Sequence, residues 1–169
     1  DQPKFMLDLG DSPAHQNRTR GSNTQAVLKA LSARIAIPFF YVNGNNDSLT
    51  ANYGSFLSSK GNLFGLDSAK PWPALNVTHC PSSTACVNSN RSSDMVNAQT
   101  FGFYSAYPLG SDTALRLIVL NSVIFSYQYR VASRQKQSDA QLEMDWLAAQ
   151  LNDARAKHEH VYIAMHIPV

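Results

Sequence analysis

The chain has 169 residues, enough for one domain with a buried core, and its 44% hydrophobic and 15% charged composition excludes a disordered protein. Its formal net charge of +2, with scattered basic residues, argues against a nucleic-acid polymer as partner. No apolar run comes near the roughly 20 residues that span a bilayer, so we expect no transmembrane segment.

The N-terminal part of the chain predicts a strand–helix–strand unit. Residues 4–11, KFMLDLGD, form an apolar run that ends in a Gly-Asp turn, which is typical of a buried strand. Residues 22–36 repeat apolar side chains at helical spacing, and residues 38–42, PFFYV, predict a second buried strand that ends at GNND. Since sites in parallel α/β sheets lie beyond the carboxyl ends of the strands, we expect Asp11 and Asn45 to meet at one edge.

Residues 48–100 are rich in Ser, Asn, Gly and Pro and predict a long insertion that covers a site or has short helices of its own. They contain both cysteines of the chain, Cys80 and Cys86, within the segment CPSSTAC. A pair at this spacing, with no second cysteine pair, favours a local disulfide over a zinc site.

Four N-x-S/T sequons begin at Asn17, Asn46, Asn76 and Asn90. Asn17, Asn76 and Asn90 lie in predicted loops and are the predicted glycosylation sites. Asn46 lies beside the predicted site and should stay unmodified. Together with the predicted disulfide, the sequons favour a secreted or lysosomal protein over a cytosolic one.

The C-terminal part predicts two paired strands followed by a long helix. Residues 101–107 and 114–122 are apolar runs separated by turn residues, so we expect a hairpin-like pair. The helix is expected from Ser138, which together with Gln141 matches a capping box. Its apolar stripe at helical spacing consists of Leu142, Trp146, Leu147, Leu151 and Ala154.

The last element is a predicted buried strand in residues 160–169, HVYIAMHIPV, whose end carries His166. No internal repeat and no linker interrupt the chain. Residues 1–169 are therefore expected to form one α/β unit.

Polar residues follow the predicted strands at three places: Asp11 with His15, Asn45 with Asp47, and His166. Carboxylate, amide oxygen and imidazole together suit a divalent metal such as Zn²⁺, Mn²⁺ or Fe. Taken singly, each has a plainer interpretation, because a Gly-Asp turn is common before a helix and a lone histidine is often a hydrogen-bonded core residue. Their occurrence at successive strand ends favours a shared site.

The order of several motifs resembles that of the calcineurin-like metallophosphoesterases, and most of all their acid sphingomyelinase-like phosphodiesterases. These motifs are GDSPAH (10–15), GNND (44–47), GFYS (102–105), LRLIVLN (115–121), QLEMDWLAAQL (141–151) and VYIAMHIPV (161–169). The resemblance implies a partial catalytic domain, residues 1–169, of an α/β/β/α sandwich, with the insertion at about 48–100.

The resemblance also implies a role for each site residue. Asp11 matches an aspartate that bridges two metals, and Asn45 and His166 match ligands of the second metal. His15 matches a histidine that protonates the leaving group. Asp47 matches an acidic residue that buttresses the neighbouring motif histidine. The implied reaction is two-metal hydrolysis, in which activated water attacks phosphorus.

The implied cofactors are divalent metals, with Zn²⁺ preferred and Mn²⁺ or Fe as alternatives. The implied substrates are small phosphodiesters, nucleotide-type pyrophosphates or phospholipid headgroups.

The chain departs from the family pattern in three places. The family's D-x-H and G-x-H segments are absent, and Asn46 replaces the histidine of GNH[DE]. We therefore expect two metals in the full domain but one or none in this chain alone. Further segments of a cleaved precursor would supply the rest and cover apolar sheet edges. An amide at Asn46 can donate to a phosphoryl oxygen but cannot deliver a proton, which predicts a rate loss of about 10²–10⁴.

Two other functions fit parts of the sequence. A non-catalytic secreted binding module on the same fold would explain Asn46 and the absent motifs. A serine esterase of the GDSL type would use Ser12 as nucleophile and Asn46 as oxyanion donor. The chain contains no D-x-x-H block, which argues against the esterase.

Overall fold

The structure is a computed structural model. It describes residues 2–12, 33–48, 51–55, 101–109, 114–131 and 133–168, together with a strand at 78–79 and five helical positions between residues 23 and 31. For 78–79 and 133–136 it describes the backbone only. The five helical positions lie within the helix predicted for residues 22–36.

The first sheet contains the two strands predicted in the N-terminal part. Strand β1 (Met6–Asp8) is parallel to β2 (Phe39–Tyr41), and β3 (Thr78–His79) pairs with β2 in the antiparallel direction. The two parallel strands therefore end at the same edge. The expectation that Asp11 and Asn45 follow neighbouring strand ends is confirmed.

The second sheet contains β4 (Tyr104–Ala106), β5 (Leu115–Val119) and β6 (His160–Ala164). β4 is antiparallel to β5, which confirms the predicted hairpin-like pair, and β6 is parallel to β5. Between β5 and β6 lie a 3₁₀ turn (Ser122–Phe125) and the helix α1 (Ser133–Ala156), since parallel neighbours require a crossover.

The two sheets share one hydrophobic core. Phe39–Val42 of the first sheet pack with side chains of all three strands of the second, among them Tyr104, Leu117 and Ala164. The Tyr104 hydroxyl also donates to the backbone carbonyl of Tyr41 at 2.9 Å. The protein is thus a mixed α/β fold with two small sheets around a common core.

Helix α1 differs from its prediction in both its start and its buried face. It begins at Ser133, so Ser138 and Gln141 lie inside the helix and the predicted capping box is wrong. The predicted apolar stripe is also partly wrong, since Leu142 and Leu151 are exposed whereas the polar Glu143 is buried. Glu143 accepts a hydrogen bond from a backbone N–H of the core, a partner that helical periodicity does not reveal.

Strand β6 was predicted to be buried, yet Tyr162 and Ile163 are 57% and 45% exposed. The reason is that β6 is an edge strand in the described part of the sheet, with β5 as its neighbour. Strand β1, an edge strand of the first sheet, is similar, because Met6 within it and Leu9 just after it are exposed. The predicted exposed apolar edges are therefore present in the described residues.

A buried arginine fixes the start of β5. The guanidinium of Arg116 is fully buried and contacts Glu159 at 2.7 Å, Asp153 at 2.6 Å and the side-chain oxygen of Gln150 at 2.7 Å. It also donates to the hydroxyl of Tyr107 at 3.1 Å. These contacts tie β5 to the end of α1 and to the residue before β6.

The helices in the described part of the chain do not combine the length and apolar composition of a membrane-spanning segment.

Candidate functional site

The turns after β1 and β2 lie directly against each other. Gly10 and Asp11 both have positive φ, 90° and 60°, so the backbone turns sharply as it leaves β1. A Cβ on Gly10 would collide with the carbonyl oxygen of Val42, and one on Gly44 would collide with the Asp11 carboxylate. Glycine at these two positions is what allows the two turns to approach.

Asn46 holds the carboxylate of Asp11 with two hydrogen bonds. Its backbone N–H donates to Oδ1 of Asp11 at 2.8 Å, and its side-chain amide donates to Oδ2 at 2.9 Å. The amide at the position where the family pattern has a histidine therefore positions Asp11. Donation from Asn46 to a phosphoryl oxygen stays a prediction.

Asp47 joins the two turns from the inside. Its Oδ2 accepts hydrogen bonds from the backbone N–H groups of Gly44 at 2.6 Å and Asp11 at 2.9 Å, and its Oδ1 accepts from the Tyr41 hydroxyl at 2.8 Å. Burial raises the pKa of Asp47 to about 6, although these hydrogen bonds oppose the shift. Because this carboxyl is fully buried, Asp47 shapes the turns and does not face solvent.

His166 approaches the same edge from the segment after β6. Its Nδ1 lies 2.6 Å from the carbonyl oxygen of Leu9. Its Nε2 lies 3.1 Å from Oδ1 of Asn45 and 3.5 Å from Oδ2 of Asp11. The amide of Asn45 is oriented by Asn52, whose Oδ1 accepts from Nδ2 at 2.7 Å. Strand ends from both sheets thus meet at one point.

The hydrogen bonds around this point leave electron pairs facing one another. A carbonyl oxygen only accepts, so Nδ1 of His166 carries a proton toward Leu9, and in the neutral imidazole Nε2 then carries a lone pair. Nε2, Oδ1 of Asn45 and Oδ2 of Asp11 are then three electron-pair donors in contact. A metal cation bound by these three atoms would relieve the repulsion between their electron pairs. The side chains of His166 and Asp11 are 20% and 24% exposed, so an ion can reach them from solvent.

Within the described residues, no three His, Cys, Asp or Glu side chains lie close enough to form a metal site by themselves. The candidate set has two such residues, Asp11 and His166, and an amide, Asn45, as the third donor. Two strong ligands and one amide oxygen suit a single, weakly held divalent ion.

Several predicted residues lie outside the described residues. They are His15 as leaving-group acid, Asn17, Asn76 and Asn90 as glycosylation sites, and Cys80 and Cys86 as a disulfide. These predictions stay predictions. The remaining sequon asparagine, Asn46, is 1% exposed and its side-chain amide donates to Asp11, so it is unsuited to glycan attachment.

Sequence reasoning missed three groups that orient the site: Tyr41, Asn52 and the carbonyl of Leu9. The only signal for Tyr41 was its place at the end of β2, three residues before Gly44. No signal pointed to Asn52, which lies in a loop, or to a backbone carbonyl.

Ser12, the nucleophile of the esterase hypothesis, lies at the end of the turn after β1. Its Oγ lies 3.2 Å from the Tyr41 hydroxyl oxygen, and its backbone N–H donates to the same oxygen at 3.4 Å. Among the described residues, no histidine is hydrogen-bonded to this Oγ as the base of a serine nucleophile would be.

Comparison with known proteins gave no assignment. No protein-family model matches the chain, and no curated protein sequence matches it significantly. The geometry of the strand ends and the motif resemblance are therefore the two observations that bear on function.

Proposed function

We propose that this protein is a metal-dependent hydrolase of phosphodiesters or nucleotide-type pyrophosphates. The observation that carries the proposal is the meeting of Nε2 of His166, Oδ1 of Asn45 and Oδ2 of Asp11, with Nδ1 of His166 directed at the carbonyl of Leu9. A metal-binding histidine commonly donates its other ring N–H to a carbonyl in this way, which fixes the tautomer that binds metal.

Each proposed ligand has a separate group that orients it. Leu9 orients His166, Asn52 orients Asn45, and the last ligand, Asp11, is oriented by Asn46. A donor set of imidazole, amide oxygen and carboxylate favours Zn²⁺, with Mn²⁺ or Fe as alternatives. A divalent ion held there would act as a Lewis acid and activate water.

The protein's own residues would hold and orient the reacting groups. Asn46 and Asp47 fix the turn that presents Asp11 and Asn45. Because the Asn46 amide is used on Asp11, we propose that His15 supplies the proton to the leaving group. This division of roles predicts slow hydrolysis.

We further propose that the domain is part of the α/β/β/α sandwich of calcineurin-like metallophosphoesterases, closest to the acid sphingomyelinase-like phosphodiesterases. Two three-stranded sheets around one core, with parallel strands ending at the site, support this proposal. The exposed apolar residues of β1 and β6 support further segments of a cleaved precursor as neighbours. The sequons and the cysteine pair support a secreted or lysosomal location.

Hydrolysis of a chromogenic phosphodiester, bis(p-nitrophenyl) phosphate, tests the proposal. We expect turnover that requires added Zn²⁺ or Mn²⁺, that a chelator abolishes, and that His166→Ala reduces at least about 100-fold. The matched control is His160→Ala, an exposed histidine at the opposite end of β6, which should leave turnover unchanged.

The other two functions give different results in the same assay. Metal binding without turnover would favour a non-catalytic binding module. In the same assay run with the carboxyl ester p-nitrophenyl acetate, turnover that survives the chelator but is lost in Ser12→Ala would favour the serine esterase. Equal loss in the His166 and His160 variants would contradict the proposed site.

A further inference from the structure

Within the described part of the chain, Glu143 is a buried acid with no neighbouring cation. Its side chain is 0% exposed, and its Oε1 accepts a hydrogen bond from the backbone N–H of Asn121 at 2.7 Å. Its Oε2 has no hydrogen-bond partner among the described residues. None of the ion pairs among the described residues involves Glu143. A buried carboxylate with one donor and no counter-charge is unfavourable, so the group is expected to remain neutral.

Glu143 belongs to what we term the buried polar layer, formed by Glu143, Asn121 and Asn43. The amides of Asn121 and Asn43 donate to the carbonyls of Phe101 and Gly102 at 2.7 and 3.0 Å. In the described part of the chain, the side-chain oxygens of both asparagines have no hydrogen-bond partner. A protonated Oε2 on Glu143 would therefore add a donor to a layer that has unused acceptors.

This layer is connected to the segment that carries His166. Asn121 is followed by Ser122, whose Oγ accepts a hydrogen bond from the backbone N–H of Ile167 at 2.8 Å. Ile167 also packs against the apolar cluster of Val123 and its neighbours. The position of His166 thus depends on the Asn121–Ser122 turn, which Glu143 holds against α1.

The described charged and titratable groups around Glu143 do not favour its ionisation. Asp139 lies one turn earlier on α1, and the Tyr129 hydroxyl is 3.4 Å from Asp139. His166 lies beyond Ser122, and Arg116 is paired at the opposite end of β5. Burial raises the pKa of Glu143 to about 8, against the opposing hydrogen bond from Asn121.

We propose that Glu143 is a pH-sensitive positioning residue: as a neutral acid it holds the Asn121–Ser122 turn and, through Ile167, the His166 segment, and its ionisation loosens both. This positioning by Glu143 takes place in the metal-free protein, so it can be tested independently of the proposed hydrolase activity.

The direction of the pH effect follows from linkage. The folded state binds the Glu143 proton more tightly than the unfolded state, because the pKa rises from an ordinary 4.5 to about 8. Its contribution to stability is therefore complete below pH ~4.5 and is lost as the pH rises through about 8. The contribution of this one group is therefore largest in an acidic environment.

Carbon-13 labelling of glutamate carboxyls tests the proposal directly, because the chain has two glutamates, Glu143 and Glu159. In an NMR titration of the metal-free protein, we expect the Glu143 carboxyl to titrate well above pH 7. The amide resonance of Ile167 should shift with the same midpoint. The amide of His160, at the far end of β6, should not shift with this midpoint, because it donates to the carbonyl of Ala114, outside the Glu143 region.

Glu143→Gln keeps the acceptor for Asn121 and removes the charge. We expect the alkaline shift of Ile167 to disappear in this variant. Between pH ~5 and ~9, the Tm of the unsubstituted protein should fall further than the Tm of the variant. The two falls should differ by about 5 °C or more. A Glu143 carboxyl that titrates near pH 4.5, or an Ile167 amide that does not follow it, would overturn the proposal even if the variant failed to fold.

Discussion

The two ends of β5 are both polar and buried, yet their polar groups are satisfied to different degrees. At the start, the fully buried guanidinium of Arg116 has partners in Glu159, Asp153 and Gln150. Just after the other end, Asn121 and the neighbouring Glu143 each keep a buried oxygen that has no hydrogen-bond partner among the described residues. One strand thus carries a completed polar cluster and an incomplete one.

The difference separates a structural cluster from a region near the site. Buried charges that are paired and fully hydrogen-bonded make the fold rigid. Buried polar atoms without partners are unfavourable for folding, and such unfavourable features are expected near functional groups. The incomplete end of β5 leads through Ser122 and Ile167 to His166. Among the described contacts, none links the complete end to His166, so the two ends should respond differently to substitution.

The largest effect should come from Arg116→Met. It leaves the buried carboxylate of Glu159 without its cation, so we expect a loss of about 3–5 kcal/mol in the free energy of unfolding, measured by denaturant titration. The exposed Arg155 on α1 is the control, and Arg155→Met should change stability by less than about 0.5 kcal/mol. A loss from Arg116→Met no greater than that of the control would show that the cluster is not structural.

An intermediate effect should come from Asn46→Ala. The substitution removes the hydrogen bond to Oδ2 of Asp11 but keeps the backbone bond to Oδ1. We expect Zn²⁺ affinity, measured by calorimetric titration, to fall about tenfold because Asp11 is less well oriented. Asn152→Ala, at an exposed asparagine on α1, should have no effect, and unchanged affinity in both variants would contradict the positioning role of Asn46.

The smallest effect should come from Lys157→Met, which removes the outermost member of the Arg116 cluster. Lys157 contacts Asp153 at 2.8 Å, but both side chains are about half exposed. We expect a stability change of no more than about 0.5 kcal/mol in the same denaturant titration. A loss of stability as large as that of Arg116→Met would contradict this expectation and would mean that the exposed Lys157–Asp153 pair contributes strongly to the cluster.

The convergence of the strand ends could be predicted from the sequence. Apolar runs followed by Gly-Asp and Gly-Asn indicated two strands that end at one edge, and parallel pairing then brought Asp11 and Asn45 together. The place of His166 followed from a third apolar run. These features are local in sequence, which is why pattern alone was sufficient.

The groups that orient the site could not be predicted, because their partners are distant in sequence. Glu143 falls within an apparent apolar stripe, and its burial depends on a backbone N–H at Asn121, 22 residues earlier. The role of Asn46 depends on Asp11, 35 residues away. The exposure of β6 depends on its edge position, which no single segment reveals.

The metal content of the protein tests the central claim most directly. After dialysis with Zn²⁺ and removal of the excess, elemental analysis should find bound zinc in the unsubstituted protein and in His160→Ala, but a clear loss in His166→Ala and Asp11→Ala. Equal zinc in all four proteins, or none in any of them, would contradict a metal centre at the ends of β1, β2 and β6.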